Sequence, residues 1–257
     1  MRAPLTLVAT GLLAISLPAG RGVARPAIES QRVMFRAGAD AALLTGQIKG
    51  EQTIDYILRA GAGQTLTVEL KGSNPQNYIN VMAAGSNNAL FIGSSSGNRF
   101  RGLLPSDGDV RLRVYLMRPA ARRKEASTYT LKVRIGGTPL APVPASRDAL
   151  IPGTPYHASA EVPCGSGSSS KAARCQAFVL RRANDSGTVV VTSPEGQKRQ
   201  FLFVNGKAVA SDQPEKLSVQ RRGDTSVLRL GKNIEGEAIE SYAIESYDIV
   251  DALVKGG

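Results

Sequence analysis

The sequence predicts an all-β protein: an antiparallel β-sandwich followed by a second, small β-rich domain. Three observations carry that prediction, namely strict alternation of apolar and polar residues, dense turn punctuation, and one proline-rich break. Alternation is clearest in Thr65 to Lys71, where Leu66, Val68 and Leu70 share one face. Val110, Leu112, Val114 and Leu116 repeat it, with Arg111, Arg113 and Tyr115 turned the other way. Tyr129, Leu131, Val133 and Ile135 form a third stripe. A period of two over short runs argues antiparallel strands with one wet face. Gly61-Ala62-Gly63 and Asp107-Gly108 supply the turns between them. Residues 32–136 therefore read as a sandwich of about seven or eight strands.

The break is residues 137–155, which hold Pro139, Pro142, Pro144, Pro152 and Pro155 and almost no periodicity. Proline removes backbone donors and stiffens the chain, so this stretch reads as an inter-domain linker or a long surface crossover. Strand patterning resumes in residues 156–257, at Ala177 to Arg181, Gly187 to Thr192, Gln200 to Val204 and Val227 to Leu230. Two cysteines, Cys164 and Cys175, fall early in this second unit. In an oxidising compartment that even count reads as a disulfide. A metal site would need more His or Cys ligands, and the one histidine is His157. Near the end, Ala238 to Tyr242 is repeated at once as Ala243 to Tyr247. A period of five matches neither strand nor helix, so the tandem is expected to be an insertion at a loop or strand end.

Residues 1–27 stand apart from the fold. Met1-Arg2 leads into the apolar run Leu5 to Leu17 and then Pro18-Ala19-Gly20, the pattern of a secretory signal peptide. Cleavage after Ala19, Ala24 or Ala27 fits equally. No cysteine follows the run, which argues against a lipid anchor, and no second long apolar segment predicts a membrane span in the mature chain. The expected location is the periplasm or the outside of the cell.

The formal net charge is +11, and loss of residues 1–27 removes three arginines and no acids, leaving +8. A basic exported protein can meet anionic cell-wall polymer, lipid headgroups or an acidic protein surface, or can simply be soluble. Nucleic acid is disfavoured as a partner, because the chain lacks Trp and no basic segment interleaves aromatics.

Catalytic signatures are weak. A hydrolytic triad needs a base beside its nucleophile, and His157 lies just after the linker with no Gly-x-Ser-x-Gly elbow in the chain. Gly165 to Lys171 is glycine-rich, but it lies between the cysteines and lacks the spacing of a phosphate loop. It reads better as the tip of a disulfide-closed hairpin. No segment nominates a carboxylate pair, a metal site or a cofactor. The expectation is a protein that is not an enzyme.

Two segments instead suggest contact with a partner. Gly93-Ser94-Ser95-Ser96-Gly97-Asn98-Arg99-Phe100 is a small-residue loop leading into an aromatic, which either anchors the loop or enters the core. Tyr115 to Ser127, YLMRPAARRKEAS, ends an apolar run in a basic burst of Arg118, Arg122, Arg123 and Lys124. Arg118 and Arg122 flank Pro119-Ala120-Ala121, so small residues leave their guanidinium groups unobstructed. Arginine can grip carboxylates bidentately where lysine cannot. A solvated charge cluster has the same composition.

These residues, with GQIKG, DYILRAGAGQTLTVEL, NYINV and LPSDGD, resemble the bacterial periplasmic lysozyme inhibitors over about residues 33–135. The likeness is chiefly to the inhibitors of goose-type lysozyme and, more loosely, to those of invertebrate-type. The resemblance implies a sandwich similar to pre-peptidase C-terminal domains, no catalysis and no cofactor, and inhibition by occupying the substrate cleft. It matches Arg118 and Arg122 to an arginine pair used against the enzyme. It likens Ser96, Gly97 and Phe100 to a Ser-Gly…Tyr inhibitory loop, with Phe in place of Tyr. The alternative is a non-catalytic envelope module that binds glycan, anionic cell-wall polymer or a protein partner. Residues 156–257 have no counterpart in single-domain inhibitors.

Overall fold

The structure, a computed structural model, describes residues 28–86, 88–166, 173–231 and 245–256. The expected signal peptide, most of the loop between the cysteines and the first copy of the tandem lie outside those residues.

The first unit runs through β1 (Glu29–Arg32), β2 (Ala41–Lys49), β3 (Ile54–Ala60), β4 (Thr65–Gly72), β5 (Asn77–Met82) and β6 (Ala89–Ile92). A single helical turn, α1 (Gly93–Ser96), precedes β7 (Arg99–Leu103) and β8 (Gly108–Leu116). A second short helix, α2 (Arg118–Arg122), leads into β9 (Ala126–Gly136). The strands form two sheets, ordered β1-β3-β8-β5-β6 and β2-β9-β4-β7. All three alternating stripes face the space between the sheets. Leu66, Leu112 and Leu131 are fully buried there, beside Leu58 and Ile79. Burial of each such side chain contributes roughly 1.5–3 kcal/mol. Tyr56 and Tyr129 share a buried hydroxyl hydrogen bond of 3.0 Å from one sheet to the other. Burial and that bond raise the Tyr129 phenol far above its usual range. One detail departs from a purely antiparallel sandwich: β1 pairs with β3 in parallel.

The second unit is one eight-stranded antiparallel sheet. It comprises β10 (Ala158–Ser166), β11 (Ala173–Arg182), β12 (Ser186–Thr192), β13 (Lys198–Val204), β14 (Lys207–Ser211), β15 (Leu217–Arg222), β16 (Thr225–Leu230) and β17 (Glu245–Val250), then α3 (Asp251–Lys255). The order is β14-β13-β12-β11-β10-β17-β16-β15, and the sheet curls until its edge strands β14 and β15 approach each other. Phe201, Phe203, Val179, Leu228 and Ile249 fill the interior. Cys164 and Cys175 form the expected disulfide between β10 and β11, with Cα atoms 5.8 Å apart. The second copy of the tandem enters β17 at Glu245.

Residues between β9 and β10 are tied to both units. Leu140 N–H donates to Ala62 O at 2.9 Å, and Val143 N–H to Arg181 O at 2.9 Å. Beside them the two units lock together. The Arg182 side chain, with no solvent exposure, pairs with Asp107 at 2.7 Å and donates to Thr188 Oγ1 and Leu140 O. Thr188 in turn donates to Pro105 O at 2.8 Å. Gly108, with φ of +132°, turns the chain out of this contact and into β8. The lock therefore sits at the start of β8, and α2 sits at its far end. Eight residue steps separate Gly108 from Leu116, roughly 26 Å at strand rise.

Candidate functional site

The apolar stripe of β8 stops at Leu116, and Met117 follows in extended conformation. Pro119 then lies in the first helical turn, where its fixed φ suits a helix and its missing N–H would have had no partner. So Pro119 both ends the strand and starts α2, a helix the sequence pattern did not indicate. Ala120 and Ala121 are buried and press the helix onto the sandwich. That burial leaves Arg118 and Arg122, four residues apart, on one exposed face.

The exit from α2 is held firmly. Lys124 adopts a φ of +55°, and its N–H donates to Ala121 O at 2.9 Å. Glu125 accepts from Asn74 Nδ2 at 2.7 Å and from Arg123 Nε at 2.6 Å. The bond from Asn74, then that from Arg123, holds the Glu125 carboxyl below its ordinary pKa. Arg123 thus has its carboxylate. Among the described residues, Arg118 and Arg122 have no ion-pair partner.

Beneath these two arginines lies a concavity of about 440 Å³ on the outer face of the five-stranded sheet. Its floor is Asn80, Arg113 and Tyr115, and Glu51 also lines it, next to Gly50, which bonds to the exit of α2. The floor is preorganised. Arg113 grips Asp55 through two bonds of 2.7 Å, and Asp55 is 3% exposed. The hydrogen bond to Asp55 outweighs burial and raises the Arg113 pKa. Tyr115 donates to Asn80 Oδ1 at 3.2 Å. Arg113 is committed to Asp55, so the charge available to a ligand is that of Arg118 and Arg122. Chemically, two exposed guanidinium groups on one helix face suit a partner that presents carboxylates.

The Ser-Gly segment sits at the same end of the same sheet. Asn98 clamps it to the edge of β5, donating to Asn77 O at 2.8 Å and accepting from Ile79 N–H at 3.2 Å. Ser96 and Gly97 are exposed, and nothing lies within 4 Å of where a Gly97 Cβ would be. They do not line the concavity. Phe100 turns inward from β7 and packs on Phe91, ring centroids 5.3 Å apart. Phe100 is half-buried and packs against the edge of the core, nearer to the second of its two sequence alternatives. Asn80, Asp55 and Glu51 are the residues that sequence reasoning missed; Arg113 and Tyr115 were visible only as outward positions on a stripe.

His157 takes no part in this site. It accepts from Arg181 N–H at Nδ1 (3.0 Å), so Nε2 carries the proton and donates to Val143 O at 2.9 Å. Both ring nitrogens are thereby bound to backbone. The described residues contain no cluster of three or more metal-ligating side chains.

No family model and no curated protein matches the chain. Solved structures do. The periplasmic inhibitor of g-type lysozyme PliG from Aeromonas hydrophila is similar at 38% identity, with a TM-score of 0.40. The match covers 42% of this chain and 97% of that one. A mutant of PliG from Escherichia coli matches at 28% identity and a TM-score of 0.35, covering 43% of this chain and all of its own. PliG from Salmonella Typhimurium matches at 25% identity and a TM-score of 0.35, covering 42% of this chain and 98% of its own. More than half of the present chain lies beyond each match.

Proposed function

We propose that this chain is an exported, non-catalytic inhibitor of lysozyme that occludes the enzyme's acidic substrate cleft with α2. The observation that carries this reading is the pair Arg118 and Arg122, without ion-pair partners among the described residues, on one face over a preorganised concavity. Goose-type lysozyme is the target implied by the sequence resemblance, and g-type lysozyme is what the three structural neighbours inhibit. A glycosidase cleft holds two carboxylates set apart for acid and base or nucleophile roles. A guanidinium placed between them gains charge-assisted hydrogen bonds and excludes the sugar chain. It also loses hydration, so the gain is net only when the donors already point correctly. The buried alanines of α2 supply that preorganisation.

Ser96 and Gly97 form a second candidate contact at the same end of the sheet, where a small-residue tip can approach a partner's backbone. The direct test is a peptidoglycan lysis assay with goose-, chicken- and invertebrate-type lysozymes and the purified chain. Inhibition of the goose-type enzyme is expected. Absence of inhibition in all three would leave the envelope-binding module as the reading.

A further inference from the structure

The outer face of the four-stranded sheet points away from the concavity, and it carries an organised array of cations. Arg101, Thr67, Arg134 and Ala41 lie side by side in one row across the strands. Arg99, Glu69, Lys132 and Leu43 form the next row. Lys71 and Lys49 extend the pattern along β4 and β2, and both are exposed. Six cations thus meet two carboxylates, Glu69 and Asp40, which leaves a surplus of four positive charges. Burial alone would raise the Glu69 carboxyl, yet Arg99, Lys71 and Lys132 around it hold it below its ordinary value.

Strand spacing sets the array at about 4.8 Å in one direction and about 6.6 Å in the other, a two-dimensional lattice rather than a groove. Leu43 stands 62% exposed within it, against a shallow, largely apolar hollow beside Ala41 and Ala42. Among the described residues no aromatic side chain stands on this face, so it offers no stacking surface for sugars. A broad cationic plane with an exposed leucine matches the two terms of interfacial binding, attraction to phosphate headgroups and shallow apolar insertion.

We propose that this face docks on an anionic phospholipid bilayer, so that the chain lies on a membrane surface with its Arg118–Arg122 face turned outward. This surface is separate from the inhibitory site, and the two fail independently. The test is flotation of the full chain with phosphatidylglycerol and with phosphatidylcholine vesicles, at about 0.1 M and about 0.5 M salt. Binding to the anionic vesicles alone, weakened by salt, is expected. Arg101 and Lys132 are in no ion pair among the described residues, so R101E/K132E should fold normally and bind about tenfold or more weakly. K71E, judged beside it by circular dichroism, gives a smaller loss in the same direction. L43S should lower the fraction that stays bound at high salt. R118A/R122A should bind vesicles as the wild type does, and R101E/K132E should still inhibit lysozyme. No binding to anionic vesicles, equal binding to both vesicle types, or undiminished binding by folded R101E/K132E would overturn the proposal. Preference for soluble polyphosphate over vesicles would overturn it too, in favour of an anionic polymer.

Discussion

Arg118 and Arg122 carry like charge four residues apart, an arrangement that costs a helix a few tenths of a kcal/mol. Folding gains nothing from it, which accords with the docking role proposed for the pair. Asp55 and Arg113 are the opposite case. Arg113 was legible only as an outward position on a strand and Asp55 not at all, because their pairing joins residues 58 apart in sequence. Removal of Asp55 would leave Arg113 half-buried without its partner. D55A is therefore expected to destabilise the protein by about 3–5 kcal/mol in urea titrations, whereas R118A should stay near zero. Equal stability of D55A and the wild type would show that the floor of the concavity is not held by this pair.

At the scale of elements, period two made the strands readable and made the helices invisible. Leu66 to Leu70 and Val110 to Leu116 declare their faces locally, but α2 has five residues, too few to show a helical period. Its helicity comes from Pro119 and from burial of two alanines, and only the second is tertiary. Strand β15 was missed because Leu217 to Arg222 is almost wholly exposed and so lacks an inward stripe. Helix α3 is held by burial of Leu253 and Val254 and by an ion-pair cluster at its start. The bond from Arg221, reinforced by Lys255, lowers the Asp251 pKa from its ordinary value to about 2. Because the folded value is the lower one, this contribution is complete above the unfolded pKa of about 3.9 and disappears as pH falls toward about 2. Once corrected for intrinsic exchange, the amide protection of α3 should fall over that window in the wild type. D251N should exchange faster already at neutral pH and lose that dependence.

At the scale of the molecule, the sequence marked two β-rich units and a proline-rich join, but not the lock between them. Arg182 looks like any strand arginine until the fold brings it to Asp107, Thr188 and Leu140 O, contacts 6 to 75 residues away in the chain. Its burial predicts that the units unfold together. R182A is expected to cost about 3 kcal/mol or more and to split a single calorimetric transition into two. A single unshifted transition would mean that the units are coupled elsewhere. Since the lock and α2 occupy opposite ends of β8, R182A should leave lysozyme inhibition largely intact below the first transition.

The central claim is that α2 delivers two free guanidinium groups into a lysozyme cleft. Its most direct test is the inhibition constant of the wild type and of R118A/R122A against goose-type lysozyme, measured with both proteins folded. The expected loss is roughly 2–5 kcal/mol, or about thirtyfold at the least. Equal inhibition by the two proteins would contradict the account.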